Sequence, residues 1–467
     1  MDSDGSRIMD ETATLLRGKN QNRNRKPHPL PWLQISIVLL LQICEPITSQ
    51  SIYPYINQLI SESDITGGDE RKVGYYAGLI ESLFFATEAV TVLHWSRMSD
   101  HVGRKPILLI GLFGTSVSML CFGLSRTFWG LVLSRSLSGL LNGNIGVTKS
   151  VVGELTDATN RAQVVSLMPV VWAAGTTIGP LLGGSLANPH ERFSGLFGGP
   201  FWKEYPYFLP CIATSSFVLV AFAITLAFFQ ETVPKCRPSN AFTVDERPPP
   251  LRKLLTFPVV ISVSNYMVIA FLNIALTALM PLFFAMPVEL GGLGFHPPLI
   301  GYIFGSYGIF TGLFQGLCFC KITGFLGERS VFVIGVMAYL PVFVTFPVMS
   351  FYAQRFGITF VVWILIASII VLMAFSDMAF GCIFIFIMAS APTKRSLGAV
   401  NGLSQTTVSV ARALGPALTT SMFSLSVEHN LLGGHGVYAI LFLFSSFALL
   451  LAVQLPHKLW EEHDAQR

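Results

Sequence analysis

Of the chain's 467 residues only 12% are Asp, Glu, Lys or Arg, about half the share usual in soluble domains, while 52% are hydrophobic, 38 are Phe and the mean hydropathy is +0.60. A water-soluble globule cannot hide that much apolar surface, which excludes an ordinary soluble enzyme, a nucleic-acid binder and a disordered scaffold, and leaves a polytopic membrane protein whose solvent is lipid. The net charge of +4 implies no polyanionic partner, so no nucleic acid is expected.

Residues 1–30 are polar and carry Arg17, Lys19, Arg23, Arg25 and Lys26. No apolar core with a small-residue cleavage site follows them, so they read as a disordered cytosolic tail and not as a cleaved signal. Apolar runs of about the 20 residues that cross the hydrocarbon then recur. They lie at 33–56, 74–95, 106–125, 128–150, 163–187, 206–229, 256–284, 298–319, 330–350, 358–389, 397–426 and 434–455, twelve predicted transmembrane helices in all. Of the 30 Lys and Arg, 22 fall on the side of the N-terminus, six on the opposite side, and Arg135 and Arg412 inside spans. The positive-inside rule therefore puts both termini in the cytosol. The charged segment 231–255, with Pro248-Pro249-Pro250, separates a six-helix half at 31–230 from a second at 256–455, and 456–467 is a cytosolic tail. Gly179-Pro180 and Gly415-Pro416 are offset by 236 residues, and Glu45-Pro46 and Met280-Pro281 by 235, as parallel duplication would leave them. The seven Cys are scattered; Cys318 and Cys320 lack a second pair and a nearby His, and read as packing. Neither a metal site nor a cofactor is expected.

Three segments carry polar chemistry in chain order. Between the second and third spans runs Ser99-Asp100-His101-Val102-Gly103-Arg104-Lys105-Pro106, a tight turn with a carboxylate before its glycine and two cations after it. Such a turn can lock neighbouring helix ends through charge-assisted bonds, and Glu154 is a candidate partner for Arg104 or Lys105. A plain solvated basic turn is the alternative. The fourth span holds Arg135, Gly139, Asn142, Gly143 and Asn144. A charge inside a span is costly and marks a functional site with a partner nearby, while the glycines allow close helix approach. A structural Arg capping carbonyls is the alternative. The fifth span holds Gly175, Gly179, Pro180, Gly183 and Gly184, in which proline bends the helix and glycines admit a neighbour.

These segments resemble three signatures of the major facilitator superfamily, in family order and at the expected spans. They are the loop Gly-x-x-x-Asp-x-x-Gly-Arg-Lys/Arg, with Ser96 at its first position here; the fourth-helix Arg-x-x-x-Gly-x-x-x-Gly-Asn; and the fifth-helix Gly-x-x-x-Gly-Pro-x-x-Gly-Gly, called the antiporter motif. The resemblance implies an all-α membrane protein with the major facilitator fold, twelve transmembrane helices in two six-helix halves. It also implies proton coupling through Arg135 and exchange rather than symport. Glu45-Pro46 followed by Tyr53-Pro54-Tyr55 looks like the first helix of fungal drug:proton antiporters, and is similar to the zinc-induced facilitator-like branch, without the Cys/His-rich loop of its plant members.

Buried carboxylates complete the picture, because low dielectric favours their neutral form and lets them take and release a proton. Glu45 is the first candidate, with Arg135 as its cation and Asp377 as a second carboxylate. A substrate cavity is expected from Gln50, Glu81, Asn142, Trp172, Asn273, Tyr307, Gln315, Asn401 and Gln405. Phe-rich walls suit amphipathic organic solutes. The expected function is a proton-coupled secondary transporter exporting small organic molecules by alternating access between its halves. A nutrient importer or a non-transporting receptor are the alternatives. An enzyme is not expected: the nine His are dispersed and no phosphate-binding Gly-x-x-x-x-Gly-Lys-Ser/Thr occurs. The lipid bilayer, protons and a small organic substrate are the expected partners. The protein is expected to be a monomer in the plasma or vacuolar membrane.

Overall fold

The computed structural model describes residues 30–63, 65–156, 161–232, 255–391 and 397–456. Nearly all of the two predicted tails and of the inter-half segment lies outside these residues. Among the described residues all regular structure is helical, as a bilayer demands of a chain whose backbone polar groups must pair within each segment.

Helices fall on every predicted span. The first is α1 (Trp32–Gln50), which stops at the turn holding Pro54 and resumes as α2 (Ile56–Glu62). Proline has no N–H to give a helix and disfavours helical geometry at Tyr53 before it. The second and third are α3 (Val73–Val102) and α4 (Arg104–Gly123). The fourth is divided into α5 (Phe128–Leu141) and α6 (Asn144–Leu155). The fifth, α7 (Arg161–Leu186), is followed by three short pieces, α8 (Pro189–Arg192), α9 (Ser194–Phe197) and α10 (Pro200–Glu204), and then the sixth, α11 (Phe208–Phe228). The second half comprises α12 (Phe257–Ala285), α13 (Pro297–Leu326), α14 (Glu328–Met337) with α15 (Tyr339–Phe356), α16 (Phe360–Ser390), α17 (Leu397–Glu428) and α18 (Gly436–Ala452). Eight of these segments, among the described residues, are long and apolar enough to cross a membrane by themselves: α1, α3, α4, α11, α12, α13, α14 with α15, and α16. The other four predicted spans are occupied by the divided α5–α6, by α7, by α17 and by the 17-residue α18.

The break between α5 and α6 is held from α3. Trp95 Nε1 donates to the Leu140 carbonyl at 2.7 Å, and Asn142 Nδ2 donates to Glu88 at 3.0 Å. The first bond satisfies a carbonyl that the interrupted helix leaves without a partner, and the second ties the residue at the break to α3. Gly143 sits directly against the Trp95 ring, where an added Cβ would fall 2.5 Å from it. The second half is held by an aromatic core. Phe283 meets Phe346 edge-on at 5.0 Å, and Phe346 stacks on Tyr438 at 5.2 Å.

The two halves meet along two helix pairs, α3 with α17 and α7 with α13. Their contacts concentrate at one end. There the ideal Cβ position of Gly78 lies 1.8 Å from Thr420 Oγ1, and that of Gly301 lies 2.5 Å from the Pro180 carbonyl. Tyr75 donates to Glu428 at 3.2 Å across the same junction. Towards the opposite end, which carries Arg104 and Lys105, the contacts thin out among the described residues: Gly316, Gly324 and Gly402 meet none of them within 4 Å. Among the described residues the bundle is closed at the end that carries Val73 and Glu428, and parted at the basic end.

Candidate functional site

The turn after α3 reverses at Gly103, whose φ of +112° suits glycine alone. Gly103 has no side chain to cap α4, so the helix begins with orphan N–H groups. Glu231, just beyond α11, supplies the acceptors: the N–H groups of Arg104 and Lys105 donate to its two oxygens at 2.8 and 3.0 Å. Sequence reasoning missed Glu231, and the signal for it was an uncapped helix start. Arg104 pairs with Glu154 at 2.9 Å and also donates to Ser99. Thr232 donates to the other oxygen of Glu154. The signature thus ties α3, α4, α6 and the end of α11 together, wholly within the first half. The side chain of Asp100 lies outside the described residues. In the second half Gly327 repeats the turn (φ +79°), and Arg329 donates instead to the Leu455 and Val453 carbonyls at the end of α18, both at 2.6 Å.

Glu154→Lys is expected to lower the stability of the detergent-solubilised protein by about 1.5–3 kcal/mol, the usual worth of a hydrogen bond to a charged group. The side chain of Glu154 is one-third exposed, which puts the effect at the lower end of that range. A thermal midpoint equal to wild type would show that the pair contributes nothing.

The fifth-helix signature divides its glycines between two neighbours. Gly175, Gly179 and Gly183, one turn apart, face α1 and the turn after it, with ideal Cβ positions 2.4 Å from Pro46 Cγ, 2.9 Å from the Ile47 carbonyl and 1.8 Å from the Ser51 carbonyl. Gln50 packs against Gly179 in the same row. Pro180 and Gly184 face the other half, against Gly301 and Pro297 of α13. In the fourth span, Gly139 lets α5 lie on the Phe84 carbonyl of α3, and the Asn144 amide packs on Gly111 of α4.

Arg135 of α5 is 4% exposed and holds its guanidinium 4.6 Å above the Phe84 ring. It shares a void of about 10 Å³ with Ser49, Ile52, Tyr53, Ile56 and Glu81, room for about one water. The carboxylate of that void is Glu81, which accepts a hydrogen bond from the Tyr53 hydroxyl. Glu45 stands on the same face of α1 as Ser49 and one turn nearer the parted end, half-buried. In the second half Asp377 of α16 accepts from Tyr307 Oη at 2.5 Å and from Asn273 Nδ2 at 3.4 Å. Each half therefore holds a tyrosine–carboxylate pair, drawn from the first and second spans in the first half and from the second and fourth in the second half. Among the other expected cavity residues, Gln405 accepts from Tyr266 at 3.1 Å, Asn142 is bound to Glu88, Gln315 is half-buried, and Trp172 and Asn401 are exposed. Arg412 of α17 lies within electrostatic reach of Tyr53 and Tyr266.

The family model of the Major Facilitator Superfamily matches residues 38–416. The chain is 30% identical to efflux pump azaK of Aspergillus niger over 96% of this chain and 94% of the relative. It is 26% identical to zinc induced facilitator-like 1 of Arabidopsis thaliana over 86% of each. Among solved structures it shares the fold of a D-xylose-proton symporter, with a TM-score of 0.69 and 15% identity over 94% of this chain and 99% of that one. The chain belongs to the major facilitator superfamily, as a multi-pass membrane transporter of the branch that holds fungal efflux pumps and zinc-induced facilitator-like proteins, and is not an enzyme.

Proposed function

We propose that the protein is a proton-coupled antiporter that exports small organic molecules. The observation that carries this reading is the pair of tyrosine-bound carboxylates, Glu81 in one half and Asp377 in the other, inside a bundle closed at one end and parted at the other. Carboxylates held in low dielectric can exchange a proton when hydration changes, and rocking of two halves changes it; Glu81 also has the fixed cation Arg135 in its void. Glu45, half-buried towards the parted end, and Asp377 carry the proton in this reading, and Arg135 is the cation. In this reading both termini and the basic end face the cytosol, so the structure is the inward-open state. The two six-helix halves flank the segment 231–255, and the protein works as a monomer in the plasma or vacuolar membrane. The likeness to a protein named as an efflux pump supports export.

The test is flux in proteoliposomes. A fluorescent amphipathic dye should move uphill against an imposed proton gradient, and the flux should collapse on adding a protonophore. Asp377→Asn and Glu45→Gln should each cut proton-driven flux by roughly 5–150-fold, the range of coupling energies of about 1–3 kcal/mol. Flux that ignores the gradient would remove proton coupling, and uptake driven by acid on the same side as the substrate would reverse the direction.

A further inference from the structure

We propose that Glu81 takes up the proton that permits the closed end of the bundle to form, and that Tyr53 carries its state to the other half. This rests on the proton-coupled reading above and names a residue and a route for it. Glu81 is 6% exposed, and its burial is tied to closure by its own helix. Gly78, one turn before it, touches Thr420 of α17, and Ser82, next to it, accepts the Ala417 N–H at 2.9 Å. Parting the halves at this end would hydrate α3 where Glu81 sits. Closing them desolvates it, and a neutral acid is far cheaper to bury than a carboxylate. Acid therefore favours closure through Glu81.

Tyr53 is the link because its two ends serve different halves. Its hydroxyl donates to Glu81 of α3, while its ring stacks on Phe304 of α13, with centroids 6.3 Å apart and planes 11° off parallel. Among the described residues, Arg135 reaches the site from α5 and Arg412 from α17, Tyr55 and Cys211 lie near Arg135, and Glu45 of α1 stands one turn from Ser49. From α13 the neighbour is the uncharged Phe304. Arg135 Nε is buried with no hydrogen-bond partner among the described residues, so the site holds one unused donor for an ionised Glu81. On protonation the carboxylate gains one hydrogen and becomes a donor itself, and the tyrosine hydroxyl can then accept from it. The proton comes from the side to which the site was last open and leaves to the other.

The experiment places spin labels at the exposed Leu196 and Leu432, one in each half, in a cysteine-free background that retains flux. Their distance distribution is read against pH without substrate. Wild type should gain the short distance as pH falls. Glu81→Gln should show the short distance at all pH values. Tyr53→Phe, which keeps the ring and loses the hydroxyl, should shift the pH midpoint of closure. A Glu81→Gln protein with the wild-type pH profile overturns the proposal. Should that variant not fold, Glu81→Asp replaces it: a displaced midpoint supports the proposal and an unmoved one overturns it. A wild type whose distances ignore pH while its flux still collapses with a protonophore would overturn this inference and leave antiport standing. Flux that ignores the proton gradient would instead defeat the functional reading itself.

Discussion

Gly183→Ala is expected to destabilise the first half itself. An added methyl at this position falls 1.8 Å from the Ser51 carbonyl oxygen and 2.7 Å from its carbon. Neither atom belongs to a side chain that can swing away. Ser51 is fixed by its N–H bond to the Ile47 carbonyl at 3.2 Å and by its hydroxyl bond to the Thr48 carbonyl at 2.9 Å. Overpacking against a movable neighbour costs about 1–3 kcal/mol, and an immobile backbone puts this substitution at or above the top of that range. Because α1 and α7 belong to one half, the clash persists in every conformation of the transport cycle. The expected result is a lower thermal unfolding midpoint in detergent and a reduced yield of monodisperse protein. A midpoint equal to wild type would mean that α1 and α7 do not pack as described.

Gly184→Ala, one residue later, should leave the fold intact and change the conformational equilibrium instead. Its methyl meets the Pro297 carbonyl at 2.5 Å and Gly301 Cα at 2.9 Å, both on α13 of the other half. These contacts exist only while this end is closed. The same penalty of about 1–3 kcal/mol then falls on one state and shifts the balance between closed and open by roughly 5–150-fold. The measurement is the distance between labels at Leu196 and Leu432, which should lengthen at fixed pH while the unfolding midpoint changes little. Loss of stability comparable to that of Gly183→Ala, with no change in distance, would contradict the division of the motif between two neighbours.

The contrast between these adjacent glycines marks how far the sequence could be read. Gly175 to Gly184 were recognisable as a packing motif from composition and spacing. Which glycine faces its own half and which faces the other was not, because successive helical residues point about 100° apart and the neighbours come from segments over a hundred residues away. The same limit explains Glu231. An uncapped α4 calls for an acceptor, but its position 127 residues beyond Arg104 follows only from the packing of α11 beside α4. It also bears on the acid groups near Arg135. Charge and depth in the membrane pointed to Glu45, and the void that holds Arg135 is lined by Glu81 as well, brought there by the turn at Tyr53 and the close approach of α3 and α5 at Gly139. The interruption at Asn142 was hidden for a related reason: it depends on Trp95 and Glu88 of α3 offering bonds to a broken helix.

What the sequence determined by itself was the solvent and the kind of structure. Long apolar runs with few charges can only be helices in lipid, since each backbone polar group must find its partner within the segment. The order of the three signatures along those runs was enough for the family. Tertiary structure decided which charges meet, which small residues join the halves, and which end is closed. Those depend on the rotation and tilt of each helix against neighbours remote in sequence, and no local pattern of residues encodes them.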